Sequence, residues 1–361
     1  MVRRRGAAIA LVIAFVIAAC GTSSPDSTGP DSTSPDSTSL DSTTSTTTTE
    51  APAPTVPPVE FPLTITDALG REHTIDGPAR LGCVTSRCRE ILGGFGVAPA
   101  ASPYEPSDFY FPVGPPEYEV SDVADLEAWS GANIDFAVFG GVPAPPASYA
   151  LVEQFVTIFY VHTPGQTNTD GMDGIEAAIW NTRALGQLLD MNVEAEAEIA
   201  RLEQAIATAS TFSTPERATR SFVSLANDPG YREDGTTSTS EPGSFCTLLI
   251  EVGLGECIEL PTEDREMSAE AFLALDPDLI VMHDGVDSVA TRSDPTWQRL
   301  SAVQNGTAFD GQGNGYRTIG VRSMIWTLQE FIHLTVPDSG IDHPGPLDRF
   351  DPTTSPLVLK D

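Results

Sequence analysis

One uninterrupted helical pattern near the middle of the chain, Glu194 to Ser210 (EAEAEIARLEQAIATAS), constrains the fold most, because the segments on its two sides match. Ala195, Ile199, Leu202, Ile206 and Ala209 recur every three to four residues and predict one apolar stripe. No Gly or Pro interrupts the run, and Ala, Glu, Gln and Arg favour helix. Before it stands Leu126-Glu127, with Asp135-Phe-Ala-Val-Phe-Gly140 beginning eight residues after the Glu. After it stands Ala269-Glu270, with Asp278-Leu-Ile-Val-Met282 at the same spacing. Each unit reads as a short helix opened by a Glu, a turn and a buried strand. The expectation is an α/β chain of two lobes joined by a spine helix.

The amino terminus is a targeting segment. Arg3, Arg4 and Arg5 precede an apolar run from Ala7 to Ala19, which is shorter than the roughly 20 residues a bilayer span needs. Residues 1–19 are therefore expected to be a signal peptide. Ile17-Ala18-Ala19-Cys20 resembles a bacterial lipobox, which implies cleavage before Cys20 and acylation of its thiol. That would hold the chain on the outer face of the cell membrane by a lipid. Residues 20–58 follow as a Ser/Thr/Pro/Asp tether, with PDST starting at Pro25, Pro30 and Pro35 and LDST at Leu40. They offer almost nothing apolar to offset the entropy of ordering. A flexible coil of this length spans roughly 35 Å.

About 300 residues remain, enough for two cores of ordinary size. The expected divisions are a first lobe at 59–190, the spine at 191–212, a second lobe at 213–337 and an irregular tail at 338–361. In the first lobe, Leu63–Thr66 and Arg71–Ile75 read as a hairpin. Arg80–Thr85 reads as a strand feeding a helix at Cys88–Phe95, with Ser86 as its cap and Glu90 in its first turn. Further strands are expected at Ala98–Ser102, Asp135–Gly140 and Thr157–Val161, and helices at Ser148–Gln154 and Asp173–Leu189. The long aromatic, Pro-rich connection Pro103–Tyr118 suggests function. In the second lobe the same rhythm predicts strands at Ser221–Ala226, Leu279–Met282 and Ala308–Phe309. Helices are expected at Phe245–Val252, Pro295–Leu300 and Gly320–Thr335, with a polar loop at Asn227–Gly243. Strands alternating with helices predict a parallel sheet, hence a Rossmann-like layering, in each lobe.

The chain carries 51 acidic and 19 basic residues, a net charge of −32, and Lys360 is its one lysine. This argues against nucleic acid and against anionic membrane surfaces as partners.

DALGREHTIDGPARLGCVTSRCREILGGFGV, the paired Glu-x7-Asp units, the spine helix and DPTWQRLSAVQNGTAF occur in the order seen in class III periplasmic binding proteins. The chain resembles this group, which serves importers of the ABC type for iron–siderophore, haem and cobalamin, over about Leu63 to Val336. The resemblance implies an extracytoplasmic, monomeric binding protein that captures a metal chelate and delivers it to permease subunits. No catalytic residues, cofactor or resident metal are implied. Glu127 and Glu270 match the family's two permease-docking carboxylates, one per lobe. By loop position, Arg87 and Arg89, Tyr104 and Tyr110, Tyr231 and Arg232, and Tyr316, Arg317 and Arg322 are the candidate ligand residues. Arginine grips anionic oxygens and aromatic rings stack on flat chelating groups. Trp326 is expected in the core.

Beyond Cys20, the cysteines are Cys83, Cys88, Cys246 and Cys257, which allow three connectivities. The pairing Cys83–Cys88 with Cys246–Cys257 keeps each bridge inside one lobe and is favoured. Such cysteines are a departure from the family's usual pattern. Two other readings stay open. A relative binding bare zinc or manganese would need several converging His, from His73, His162, His283, His333 and His343. A secreted enzyme could use Ser86, but no nucleophile elbow, metalloprotease motif or P-loop is present.

Overall fold

The computed structural model describes residues 56–84, 86–103, 114–120, 125–140, 149–162, 172–225, 236–238, 243–258, 266–282, 288–311 and 320–358. The expected signal peptide and most of the expected tether, including Cys20, lie outside them. Residues Pro54–Asp361 gather into one unit.

The first lobe opens with the expected hairpin, β1 (Leu63–Thr66) and β2 (Glu72–Ile75), paired antiparallel. Asp67 at its turn accepts the N–H groups of Leu69 and Arg71, and Gly70 takes φ +78°. Then come β3 (Leu81–Cys83), α1 (Ser86–Gly94), β4 (Ala101–Ser102), β5 (Tyr118–Glu119) and α2 (Leu126–Gly131). β6 (Phe136–Gly140), α3 (Tyr149–Val152), β7 (Thr157–Val161) and α4 (Gly174–Leu188) complete the lobe. The five-stranded sheet has order β5-β4-β3-β6-β7 and every pairing in it is parallel. α4 starts one residue later than expected, with Asp173 as its cap: the carboxylate accepts the N–H groups of Ile175 and Glu176 in a capping box.

The spine, α5 (Asn192–Ser210), follows. Next are α6 (Pro215–Ala218), β8 (Ser221–Leu225), β9 (Thr236–Ser238), α7 (Gly243–Val252), β10 (Glu256–Cys257), β11 (Glu266–Ser268) and α8 (Ala269–Leu275). The second lobe ends with β12 (Leu279–Met282), α9 (Ser288–Ser293), α10 (Ser301–Gln304), β13 (Ala308–Asp310) and α11 (Val321–Thr335). Its four-stranded sheet, β10-β8-β12-β13, is also wholly parallel.

The two sheets repeat one plan. The second sheet runs β10-β8-β12-β13, and the first contains β4-β3-β6-β7 in the corresponding order, with β5 added at its edge. The spine earns its place by serving both cores. Ala195 packs with β3, β6, β7, α1 and α4, whereas Ile199, Leu202, Ala205 and Ala209 pack with α7, α11 and the second sheet. α4 and α5 cross closely at Gly186, where an added Cβ would lie 2.6 Å from that of Ala195.

Several local expectations change. Ser86 is the first helical residue rather than the residue before the helix, and Glu90 lies a turn further in and is buried. The Asn227–Gly243 connection contains β9, which pairs with β11. The helix expected at Pro295–Leu300 is a 3-10 turn at Trp297–Arg299, running into α10. The segment after Pro337 is irregular, with three 3-10 turns, but it is part of the core. Leu347, Phe350, Leu357 and Val358 are buried against α11 and its neighbours. The tail also satisfies a polar stripe on α11. The Trp326 indole N–H donates to Gly345 O, Gln329 Nε2 donates to Asp342 O, and the Ser355 hydroxyl donates to Gln329 Oε1. Trp326 is fully buried, as expected.

Candidate ligand face and docking carboxylates

In an open parallel sheet, ligands bind beyond the carboxyl ends of the strands. Arg87 and Arg89 sit on α1, directly after β3. The side chain of Arg87 is outside the described set. Arg89 is half-buried, and its Nη1 donates to Pro103 O at 3.3 Å, tying α1 to the start of the aromatic connection. Tyr104 and Tyr110 follow β4 in sequence, Tyr231 and Arg232 follow β8, and Tyr316 and Arg317 follow β13. All six lie outside the described residues, as does His283 after β12. Each belongs to a connection that leaves the carboxyl end of a parallel strand.

Arg322 lies in the first turn of α11, and its side chain is 16% exposed. Its Nε and Nη2 donate to the two oxygens of Glu198 on the spine at 3.1 and 3.2 Å. Nη2 also donates to Gly94 O at the end of α1, at 3.1 Å. Glu198 is 3% exposed and receives a further bond from Arg201 at 2.6 Å. The structure therefore gives Arg322 a bidentate ion pair inside the protein. Sequence reasoning missed Glu198, which reads as one more solvated Glu in a charged helix.

Beside this pair, Glu90 of α1 reaches the amino end of α11. Its Oε1 accepts the N–H of Ser323 at 2.8 Å, and Gly320 allows the approach, because an added Cβ there would lie 2.7 Å from Oε1. Burial pushes the carboxyl up to about 7, against the opposing pull of its Ser323 hydrogen bonds and of Arg322, while Glu198 adds to the rise.

Glu127 and Glu270 show the internal repeat most clearly. Glu127 and Glu270 are both exposed and both stand in the first turn of their helices. Two residues before each is the cap: Asp125 Oδ1 accepts Ala128 N–H at 3.0 Å, and Ser268 Oγ accepts Ala271 N–H at 3.2 Å. Two residues after each is a buried aromatic, Trp129 or Phe272. Six residues after each is a left-handed residue, Asn133 at φ 49° and Asp276 at φ 39°. Eight after each, the Asp clamps the start of the neighbouring parallel strand. Asp135 Oδ2 accepts Arg80 N–H at 2.7 Å, and Asp278 Oδ2 accepts Ser221 N–H at 2.8 Å. Registers agree too, with Leu81 opposite Phe136 and Phe222 opposite Leu279. Helices that connect parallel strands run back against them, so each helix start lies toward the carboxyl-end face.

Both expected disulfides are formed. Cys83–Cys88 joins the end of β3 to α1, with the Cα atoms 5.3 Å apart. Cys246–Cys257 joins α7 to β10, at 5.6 Å. His73 faces Asp67 at 3.3 Å, and the His162 backbone is bracketed by the Asn181 amide. His343 Nε2 lies 3.4 Å from Glu330, with His333 edge-on to its ring. Among the described residues, no three His, Cys, Asp or Glu side chains are grouped to hold a metal ion. Among them, too, no helix is long and apolar enough to cross a membrane.

No protein-family profile matches the sequence, and no curated protein does. Solved structures do match. An ABC-type Fe3+-hydroxamate transport system protein of Saccharomonospora viridis DSM 43017 aligns at 19% identity and TM-score 0.55, covering 76% of this chain and 99% of that one. The siderophore periplasmic binding protein from the fuscachelin gene cluster of Thermobifida fusca aligns at 15% identity and TM-score 0.54, covering 73% and 98%. The catecholate-siderophore binding protein VctP of Vibrio cholerae aligns at 14% identity and TM-score 0.55, covering 75% and 97%. The first is described as a transport system and the other two as periplasmic siderophore-binding proteins. The chain thus has the two-lobed α/β fold of the TroA-like periplasmic binding proteins, with parallel sheets on either side of a spine helix.

Proposed function

We propose that this chain is the extracytoplasmic substrate-binding component of an ABC importer, capturing a ferric siderophore or similar metal chelate and delivering it to a permease. The observation that carries the reading is the duplicated docking unit. Two exposed carboxylates, Glu127 and Glu270, are set by matching caps, turns and strand clamps on two sheets of one plan. Two charges at a fixed separation give register and steer encounter with a basic partner. The ligand lies between the lobes against Arg87, Arg89, Tyr104, Tyr110, Tyr231, Arg232, Tyr316 and Arg317. Arg322 acts through its ion pair with Glu198. A lipid on Cys20 anchors the chain, residues 20–58 hold the domain off the membrane, and it works as a monomer.

The test is a tryptophan fluorescence titration of the chain from Cys20 onward. Trp180 is the reporter. It is half-buried, and its ring centroid lies 4.6 Å from that of His162, which follows the carboxyl end of β7. The panel is ferric hydroxamates, ferric catecholates, ferric citrate, haem, cobalamin, Zn²⁺ and Mn²⁺. Saturable sub-micromolar quenching by one chelate, lost in Arg87→Ala or Tyr231→Ala, is the expected result. A response to the free metals alone overturns the chelate reading.

A further inference from the structure

Three helices from different parts of the fold meet at one buried polar junction. α1 belongs to the first lobe, α11 to the second, and α5 runs between them. Glu90 and the Gly94 carbonyl come from α1, Glu198 and Arg201 from α5, and Arg322, Ser323 and Gly320 from α11. Nothing in a ligand-binding role requires a carboxylate here, 6% exposed, closing a helix of the opposite lobe.

We propose that Glu90 is a proton-operated latch between the lobes: protonated, it packs against the amino end of α11 and holds α1 to it, and ionised, it loosens that contact to reach water. The inference rests on the junction and not on the identity of any ligand.

Burial sets the direction, against the Ser323 hydrogen bonds and Arg322, which favour the ionised form. In the packed state the carboxyl is confined between Gly320, Ser323 and the spine, out of water. It faces Arg322 and Ser323 on α11 and Glu198, itself paired with Arg201, on α5. From α4, Thr182 lines the same junction. The positive charge of Arg322 is largely used by Glu198, so an ionised Glu90 would be a second carboxylate sharing the available cations. Burial accordingly raises its titration to about 7. A carboxyl that binds its proton more tightly when packed than when solvated makes the proton a ligand of the packed state. From that raised value, the packed population falls roughly tenfold relative to the loosened one between pH 6 and pH 8.

The junction is well placed to matter. Glu90 is adjacent to Arg89, and Gly320 ends the connection from β13 that carries Tyr316 and Arg317. A change in how α1 meets α11 therefore moves the roots of both lobes' carboxyl-end segments.

The test is amide hydrogen exchange of the ligand-free chain from Cys20 onward, followed from pH 5.5 to 8.5 and corrected for the intrinsic pH dependence of exchange. Peptides covering Ser86–Phe95 and Gly320–Trp326 are expected to lose protection roughly tenfold between pH 6 and 8. Glu90→Gln is expected to keep the low-pH protection across the range. A wild-type profile flat with pH, or a Glu90→Gln profile that follows the wild type, overturns the proposal. Should Glu90→Gln fail to fold, the wild-type carboxyls are titrated by carbon-13 NMR with labelled glutamate. One signal with a midpoint near 7 supports the latch, and midpoints all below about 5.5 overturn it.

Discussion

Arg322→Met separates two roles that the same residue could have. If Arg322 touches ligand, its loss lowers affinity and leaves stability nearly unchanged. The structure predicts the opposite. The substitution removes two bonds to Glu198 and one to Gly94 O. Breaking a buried pair by deleting one partner costs about 3–5 kcal/mol, because the other charge is stranded. Glu198 is not fully stranded here, since Arg201 remains 2.6 Å away, on a side chain that is 30% exposed. Methionine also keeps most of the apolar stem in contact. The expected cost is therefore about 2–3 kcal/mol. Arg201→Met leaves the bidentate bond intact and should cost under about 1 kcal/mol. The assay is denaturant unfolding of wild type, both single variants and the double. The double should exceed the sum of the singles, because only then does Glu198 lose every cation. An Arg322→Met variant within about 0.5 kcal/mol of wild type, with ligand affinity abolished, would refute this reasoning and return Arg322 to the ligand face.

Glu90 also predicts how global stability changes with pH. Its folded value is raised from 4.5 to about 7, so the folded state holds a proton that the unfolded state has lost. Stability then falls as pH rises through that window, by about 2–3 kcal/mol between pH 5 and 8, and Glu90→Gln removes this slope. Calorimetry of both proteins across that range measures it. Replacing both Cys246 and Cys257 by Ala opens a short loop and should lower the free energy of unfolding by about 3 kcal/mol under oxidising conditions, as read by denaturant unfolding. Gly186→Leu forces side-chain atoms into the α4–α5 crossing and should destabilise by at least about 1–3 kcal/mol. Glu127→Ala and Glu270→Ala, both at exposed positions, should leave unfolding within about 0.5 kcal/mol of wild type while reducing uptake in cells.

Most of the fold was readable because it rests on short-range chemistry. β7 spans the expected Thr157–Val161, α4 begins after Asp173, which caps it, and Gly253 closes α7 at φ +64°. The Glu-x7-Asp spacing proved deeper than a spacing, since the cap, the left-handed residue and the strand clamp all repeat with it. Other elements left no local mark. β9 and β11 are three residues each and exist by pairing with one another across nearly thirty residues of chain. Tail residues such as Leu347 and Leu357 look like isolated apolar positions until α11 supplies the surface they cover. Periodicity registers a regular partner and is silent about an irregular one.

The buried charges carry the same lesson into the site. Glu198 falls one residue before Ile199 on the spine stripe, close enough to the buried face to be drawn in, yet a Glu in EAEAEIARLEQ reads as solvent-facing. Its burial depends on Arg322, 124 residues away in sequence, and on Arg201 one turn along. Glu90 likewise looks like the surface position of a short amphipathic helix, until Gly320 clears the space for its carboxyl and Ser323 donates a first-turn N–H to it. Each side chain would be unremarkable with its partner removed. An arginine chosen for a ligand role by its loop position is, because cations are scarce in this chain, the natural counter-ion for a carboxylate that folding buries. In a chain with 51 acidic residues against 19 basic ones, where two lobes must be held together, the internal claim on Arg322 comes before any external one.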